Sequence, residues 1–125
     1  MMPLRPVIAV FLLAACGGGD TTEIQTPGGG YTTEVLANEQ LAGEVGCLAC
    51  HTDGDTPAAP SLVGIWGREN QLADGRTVTV DHEYVSRSIT EPGADVVEGY
   101  NSTMPTVPLT DEEVDRLVDW VRSLG

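Results

Sequence analysis

Two cysteines and a histidine stand close together near the middle of this chain, as Cys47, Cys50 and His51. Thiols are nucleophiles and soft metal ligands, and imidazole is a common ligand of transition metals. The spacing Cys-x-x-Cys-His is the attachment signature of c-type haem, in which two thiols add to two vinyl groups of one porphyrin. The histidine then supplies an imidazole to the iron, so we predict one haem c with His51 as an axial ligand.

Three other chemistries use a pair of cysteines at this spacing. A zinc site needs further Cys or His ligands, and only His82 remains beyond the N-terminal Cys16. A thioredoxin-like redox pair lies at the start of a helix in an alternating strand–helix pattern, which is not visible in this sequence. A disulfide between Cys47 and Cys50 would leave the adjacent His51 without a role. Haem attachment uses all three residues and is the interpretation we favour.

The motif stands in one of four consecutive segments that resemble bacterial class I cytochromes c. They are GCLACHT at 46–52, PSLVGIWGR at 60–68, SITEPGADVVEGYNSTMP at 88–105 and LTDEEVDRLVDWVRSL at 109–124. The resemblance covers about residues 35–125 and is closest to the haem-c domain carried by subunit II of some haem–copper oxidases. It implies an all-α class I cytochrome c fold, with three or more helices and a small hairpin around one haem.

The resemblance also implies roles for residues outside the attachment motif. In this family a methionine directly before a proline is the second axial ligand, and Met104 holds that position here. The carbonyl of a proline after the motif accepts the imidazole N–H, which corresponds to Pro60. An aromatic–Gly–Arg element that can reach the haem propionates corresponds to Trp66 and Arg68. We expect His82, in a polar stretch, to be a surface residue rather than a ligand.

Short helices must position these ligands. The sequence predicts a helix over 39–45 leading into the attachment site, a hairpin over 72–78 that turns at its Asp-Gly pair, and a helix over 84–89 that ends before Pro92. The last helix is the clearest prediction, because Thr110 begins a capping box of the form Thr-x-x-Glu. Its apolar residues recur at helical spacing and predict a core face: Val114, Leu117, Val118 and Val121.

Composition limits the partners. The chain has 125 residues, enough for one small domain, with 19 acidic residues, six arginines and no lysine, a formal charge of −13. Nucleic acids and anionic lipid surfaces are bound by clustered positive charge, so neither is expected as an electrostatic partner. A redox protein that docks on so acidic a chain would offer a basic or a largely apolar patch.

The N-terminal residues predict that the protein is exported and attached to the cell envelope. Residues 1–15 combine Arg5 with a short apolar run, as signal peptides do, and Leu-Ala-Ala-Cys ending at Cys16 resembles the lipobox of bacterial lipoproteins. We therefore predict a lipid anchor on Cys16, a flexible Gly/Thr-rich linker over 16–33 and a cytochrome c domain over 34–125. Gly17 follows the cysteine in place of the aspartate that often retains lipoproteins at the inner membrane, so the resemblance implies the outer membrane, facing the periplasm, over the outer face of the plasma membrane.

An iron with two protein ligands has no free position for a substrate. We therefore predict an electron carrier rather than an enzyme, and a monomer. The resemblance implies a respiratory chain in which a terminal oxidase is the acceptor and a reductase or dehydrogenase lies upstream. Two alternatives stay open at this point. The chain could be a haem-bearing subunit of a larger oxidoreductase complex, or a peroxidase-like or sensor protein in which Met104 leaves the iron.

Overall fold

The computed structural model describes residues 32–125. The predicted signal peptide (1–15), the predicted anchor Cys16 and nearly all of the predicted linker (16–33) lie outside the described residues. Three α-helices and a two-stranded antiparallel sheet form the fold: α1 (Thr33–Glu44), β1 (Glu69–Gln71), β2 (Thr77–Thr79), α2 (His82–Thr90) and α3 (Asp111–Ser123). These elements confirm the predicted helical fold with one small hairpin. In residues 32–125, no helix combines the length and hydrophobicity that a membrane crossing requires.

Helix α1 begins six residues before the predicted start at residue 39. Its N-cap is Thr32, whose hydroxyl accepts a hydrogen bond from the Val35 amide at 3.3 Å, and Glu34 adds negative charge to the first turn. Both features favour a helix start, and neither glycine nor proline follows before Gly43. The helix therefore extends from the edge of the linker to the attachment motif.

Helix α3 supplies the largest share of the core. The capping box at its start is present, with Glu113 and Thr110 each bonding the other's backbone amide. All four residues of the predicted stripe are buried, and Trp120 is buried beside them. Arg116 ties α3 to α1 by donating from Nε to the amide oxygen of the buried Asn38 at 3.0 Å. Helix α3 packs on both α1 and α2, so it fixes these two helices relative to each other.

The hairpin and α2 form the other side of the core. Strands β1 and β2 flank the predicted turn, which closes through the bond from the Leu72 amide to the Arg76 carbonyl at 2.8 Å. Asp81 caps α2 and accepts from the Tyr84 amide at 2.9 Å, and the helix ends at Thr90, before the proline that was predicted to stop it. His82 is exposed on the first turn of α2, as expected for a surface residue.

Candidate functional site

A sharp bend after α1 presents the attachment motif. Gly46 adopts a φ of 92°, a left-handed conformation that favours glycine, and a 3-10 helix follows at Cys47–Ala49. The His51 amide donates to the Cys47 carbonyl at 2.9 Å, so these two residues are separated by one helical turn. Cys47 is half-buried and Cys50 is exposed, and no disulfide joins them. Burial raises the pKa of the Cys47 thiol above its usual range.

The imidazole of His51 is held in one orientation by Pro60. Its Nδ1 lies 2.8 Å from the Pro60 carbonyl oxygen. Because a carbonyl only accepts, Nδ1 carries the proton, and in the neutral ring the lone pair is on Nε2. Thr56 and Asp55 shape the loop around Pro60, since they accept hydrogen bonds from the amides of Ala59 and Ser61. The loop fixes the tautomer that can donate Nε2 to a metal.

A mainly apolar cavity extends from the attachment motif across the core. It encloses about 960 Å³ of space, including its open mouth. Helices α2 and α3 form much of its wall, and the segment between them closes one side. Its apolar and ligand-bearing lining includes Cys47, His51, Pro60, Leu62, Ile65, Val85, Ile89, Val97, Met104, Leu117, Trp120 and Val121.

Met104 reaches the same cavity from far along the chain. It lies 53 residues after His51, in a segment without helix or strand, yet both residues line this cavity and a smaller one beside it. The smaller cavity is also lined by Cys50 and Pro105, and none of the described residues around it is Asp, Glu, Lys or Arg. The lining of this smaller cavity is therefore free of charged acidic and basic side chains among the described residues, in contrast to the acidic chain as a whole.

Trp66 and Arg68, the predicted propionate contacts, line neither cavity. Trp66 packs against the core, with the guanidinium of Arg122 5.8 Å from its ring centroid. The Arg68 guanidinium lies next to Gly64. A Cβ placed on Gly64 would be 3.3 Å from the Nη2 atom of Arg68. The structure therefore does not bring these two residues together with the ligands, and their role towards the propionates stays a prediction.

Polar side chains other than the predicted ligands and propionate contacts also line the main cavity. They are Asn70, Tyr84, Ser88, Asp95, Tyr100, Asn101 and Ser102. The amide of Asn70 donates to the Tyr84 hydroxyl at 3.5 Å, which links the hairpin to α2 at the cavity wall. Spacing along the chain gives no signal for this group, since its members come from the hairpin, α2 and the segment after α2 and meet only through the packing of these three parts. Tyrosine hydroxyls and amides are donors suited to a carboxylate.

The donor set fits a c-type haem. The two adjoining cavities, whose main lining is apolar, are bordered by two thiols, an imidazole with Nε2 available and a thioether. Such a wall suits a porphyrin ring, and the polar group at the cavity suits its carboxylates. No cluster of three or more His, Cys, Asp and Glu suited to a metal ion occurs in residues 32–125.

Comparison with known proteins agrees with this assignment. The family model described as Cytochrome c matches residues 35–125. Among solved structures, cytochrome cH from Methylobacterium extorquens is similar in fold, with a TM-score of 0.54 and 18% identity, covering 71% of this chain and 97% of that one. No curated protein sequence matches the chain.

Proposed function

Because this chain belongs to the cytochrome c family, we propose that it carries single electrons between redox proteins, with His51 and Met104 as the two axial ligands. The chain binds one haem c covalently through Cys47 and Cys50, as its family and its motif imply. The iron supplies the chemistry, which is one-electron exchange between its ferric and ferrous states. The protein holds the group, selects its ligands and shields it from water.

The shared cavity of His51 and Met104 is the observation that carries this proposal. The bond from Nδ1 to Pro60 directs the imidazole and increases its basicity. A thioether is a soft ligand, which stabilises ferrous iron and raises the potential relative to two imidazoles. With both axial positions filled by the protein, no position is left for a substrate, so the chain acts as a carrier and not as an enzyme.

Absorption spectroscopy of the haem-loaded protein tests this proposal. The ferric protein is expected to be low-spin, to display the methionine–iron charge-transfer band in the red, and to titrate as a single one-electron couple. The measurement is a ferric spectrum followed by a potentiometric titration. A high-spin ferric spectrum with rapid binding of added ligands would instead identify an open-site haem protein.

The uncharged lining of the smaller cavity suggests a route for electrons to a partner protein. Residues 56–67 and 99–110 carry no Asp, Glu, Lys or Arg, and their members Ala58, Ala59 and Met104 border the smaller cavity. Partner proteins would therefore meet the haem edge mainly through apolar contact, while the acidic surface elsewhere excludes partners of like charge. The acceptor in this proposal is a terminal oxidase, because the sequence resembles an oxidase haem domain. The donor is a reductase or a dehydrogenase, and the chain acts as a monomer.

The N-terminal segment places this chemistry on the cell envelope in our proposal. Acylation of Cys16 would anchor the protein on the periplasmic side, with the outer membrane favoured by Gly17. The Gly/Thr-rich linker of 17 residues over 17–33 would give the domain a root-mean-square reach of roughly 23 Å from its anchor. Such a reach lets one anchored domain meet both a donor and an acceptor.

Loss of the anchor has a direct readout. Replacing Cys16 with serine in the full chain, expressed in a bacterium that processes lipoproteins, is expected to move the protein from the membrane pellet to the soluble fraction. The measurement is immunoblotting after ultracentrifugation, and Thr22→Ser is the control in the adjacent linker. A Cys16→Ser protein that stays in the pellet would contradict the anchor.

A further inference from the structure

Asp95 is the one acidic side chain that is buried in residues 32–125, and it lies in the wall of the haem cavity. Its side chain is 2% exposed. Arg76 donates from Nη2 to Oδ1 at 2.7 Å, and Arg87 donates from Nε to Oδ2 at 2.5 Å. Each carboxylate oxygen is thus bound by a different guanidinium, which is the pairing that a buried charge requires.

These three residues come from three parts of the fold. Arg76 lies in the hairpin turn, Arg87 is in the last turn of α2, and Asp95 is in the segment that follows α2. Burial by itself would raise the pKa of Asp95, but the hydrogen bonds from Arg87 and Arg76 outweigh it and hold that pKa below its usual range. The carboxylate is therefore ionised at neutral pH and holds the hairpin, α2 and this segment together.

The segment fixed by Asp95 continues to Met104. Beyond Asp95, the Val96 carbonyl accepts from the Ala73 amide at 2.8 Å, and the Glu98 amide donates to the Gln71 carbonyl at 2.9 Å. These bonds hold the first half of the segment against the hairpin. Residues 91–104, which we name the Met104 loop, thus have one end attached to the same hairpin that Arg76 belongs to.

The two ends of the Met104 loop also meet each other. A Cβ placed on Gly93 would lie 3.4 Å from the hydroxyl oxygen of Ser102, so these residues are in contact distance. Gly93 is two residues before Asp95, and Ser102 is two residues before Met104. This close approach gives a short path from Asp95 to the segment that carries Met104.

We propose that Asp95 is a positioning residue for Met104: its paired carboxylate, held by Arg76 and Arg87, fixes the Met104 loop so that the thioether stays directed at the iron. This inference rests on the axial role proposed for Met104. Asp95 touches neither the iron nor Met104 in this role. It acts by restricting the loop, which lowers the fraction of time that the sixth position is open to another ligand.

Competition with imidazole tests this role in the haem-loaded ferric protein. The Asp95→Asn side chain keeps the shape of aspartate, but its NH₂ group would face an arginine donor in place of one carboxylate oxygen. We expect the affinity of the iron for added imidazole to rise roughly tenfold, because charge-assisted hydrogen bonds that hold the loop are lost. The measurement is the disappearance of the methionine–iron band as imidazole is added at neutral pH.

Two controls separate positioning from general stability. Asp74→Asn removes an exposed partner of Arg76 without touching the Met104 loop. Val118→Ala weakens the core at a fully buried residue outside both cavities. Both should leave imidazole affinity within about twofold of the original, although the second lowers the unfolding temperature.

The outcomes are distinct. If Asp95→Asn lowers the unfolding temperature like Val118→Ala but binds imidazole like the original protein, Asp95 has only a structural role and the proposal is overturned. If the original protein itself lacks the methionine–iron band, the axial role of Met104 fails, and this inference fails with it. If Asp95→Asn does not fold, Arg76→Gln is tested in its place, since it removes one of the two guanidinium groups that bind the Asp95 carboxylate. An affinity gain of about threefold supports the proposal, and no gain overturns it.

Discussion

Replacement of Met104 by alanine is expected to lower the reduction potential by on the order of 0.1 V, within the range of about 0.8 V over which axial ligands set haem potentials. The ferric protein should also lose its methionine–iron band and become high-spin. Under the proposed ligation, alanine removes the one thioether of residues 32–125 that lines the cavity shared with His51, and the iron would keep a single protein ligand. A potentiometric titration and a ferric spectrum measure both effects.

The control for this substitution is Leu36→Ala. Leu36 is an exposed apolar residue on α1, outside both cavities, so its truncation should change neither the potential nor the spectrum. The axial role of Met104 would be refuted by a Met104→Ala protein that retains the band and the original potential. A second histidine ligand would then have to be sought, and His82, exposed on α2, is the remaining candidate.

Removal of both attachment thiols is expected to unfold most of the chain. In the double variant Cys47→Ser/Cys50→Ser, covalent attachment of haem is lost, and side chains from α2 and α3 that line the cavity face an unfilled space. The apolar walls lose their contacts with the porphyrin, a loss comparable to that of a large-to-small core substitution, which costs about 2–5 kcal/mol.

That cost is large for a domain of this size. Small domains bury a limited part of their surface, and total stabilities of about 5–15 kcal/mol are usual. We expect the double variant to lose most of its helical circular dichroism at 25 °C. The single variant Cys50→Ser is the matched control, because Cys47 can still attach the haem through one thioether and keep the cavity filled. A haem-free double variant with native helicity and cooperative unfolding would contradict this expectation.

Local features of the fold were predictable because they depend on neighbours in sequence. The capping box of Thr110 and Glu113 and the stop before Pro92 appear as predicted. The start of α1 was misplaced, since Thr32 was read as part of the linker and not as an N-cap. A lone threonine before a weakly amphipathic segment carries little signal, and its bond to the Val35 amide is visible only in the structure.

The functional site likewise has one part that the sequence predicts and another part that only tertiary packing determines. The sequence by itself determined the attachment motif, because two thioethers and an imidazole on one porphyrin require a fixed short spacing, and it named Met104 and Pro60 through the resemblance. The bond from His51 to Pro60 agrees with that expectation. Trp66 and Arg68 were named by the same resemblance, yet here they lie outside the cavity wall.

Only the tertiary structure decided which side chains surround the cavity. Asp95 meets Arg76 and Arg87 across 19 and eight residues of chain, and Asn70 meets Tyr84 across 14. Neither the hydrophobic periodicity of the sequence nor a motif predicts such contacts, because they depend on how the hairpin, α2 and the Met104 loop pack together. Covalent attachment and local hydrogen bonding are specified by spacing along the chain, whereas a buried ion pair forms only where the folded backbone brings its partners together and excludes water.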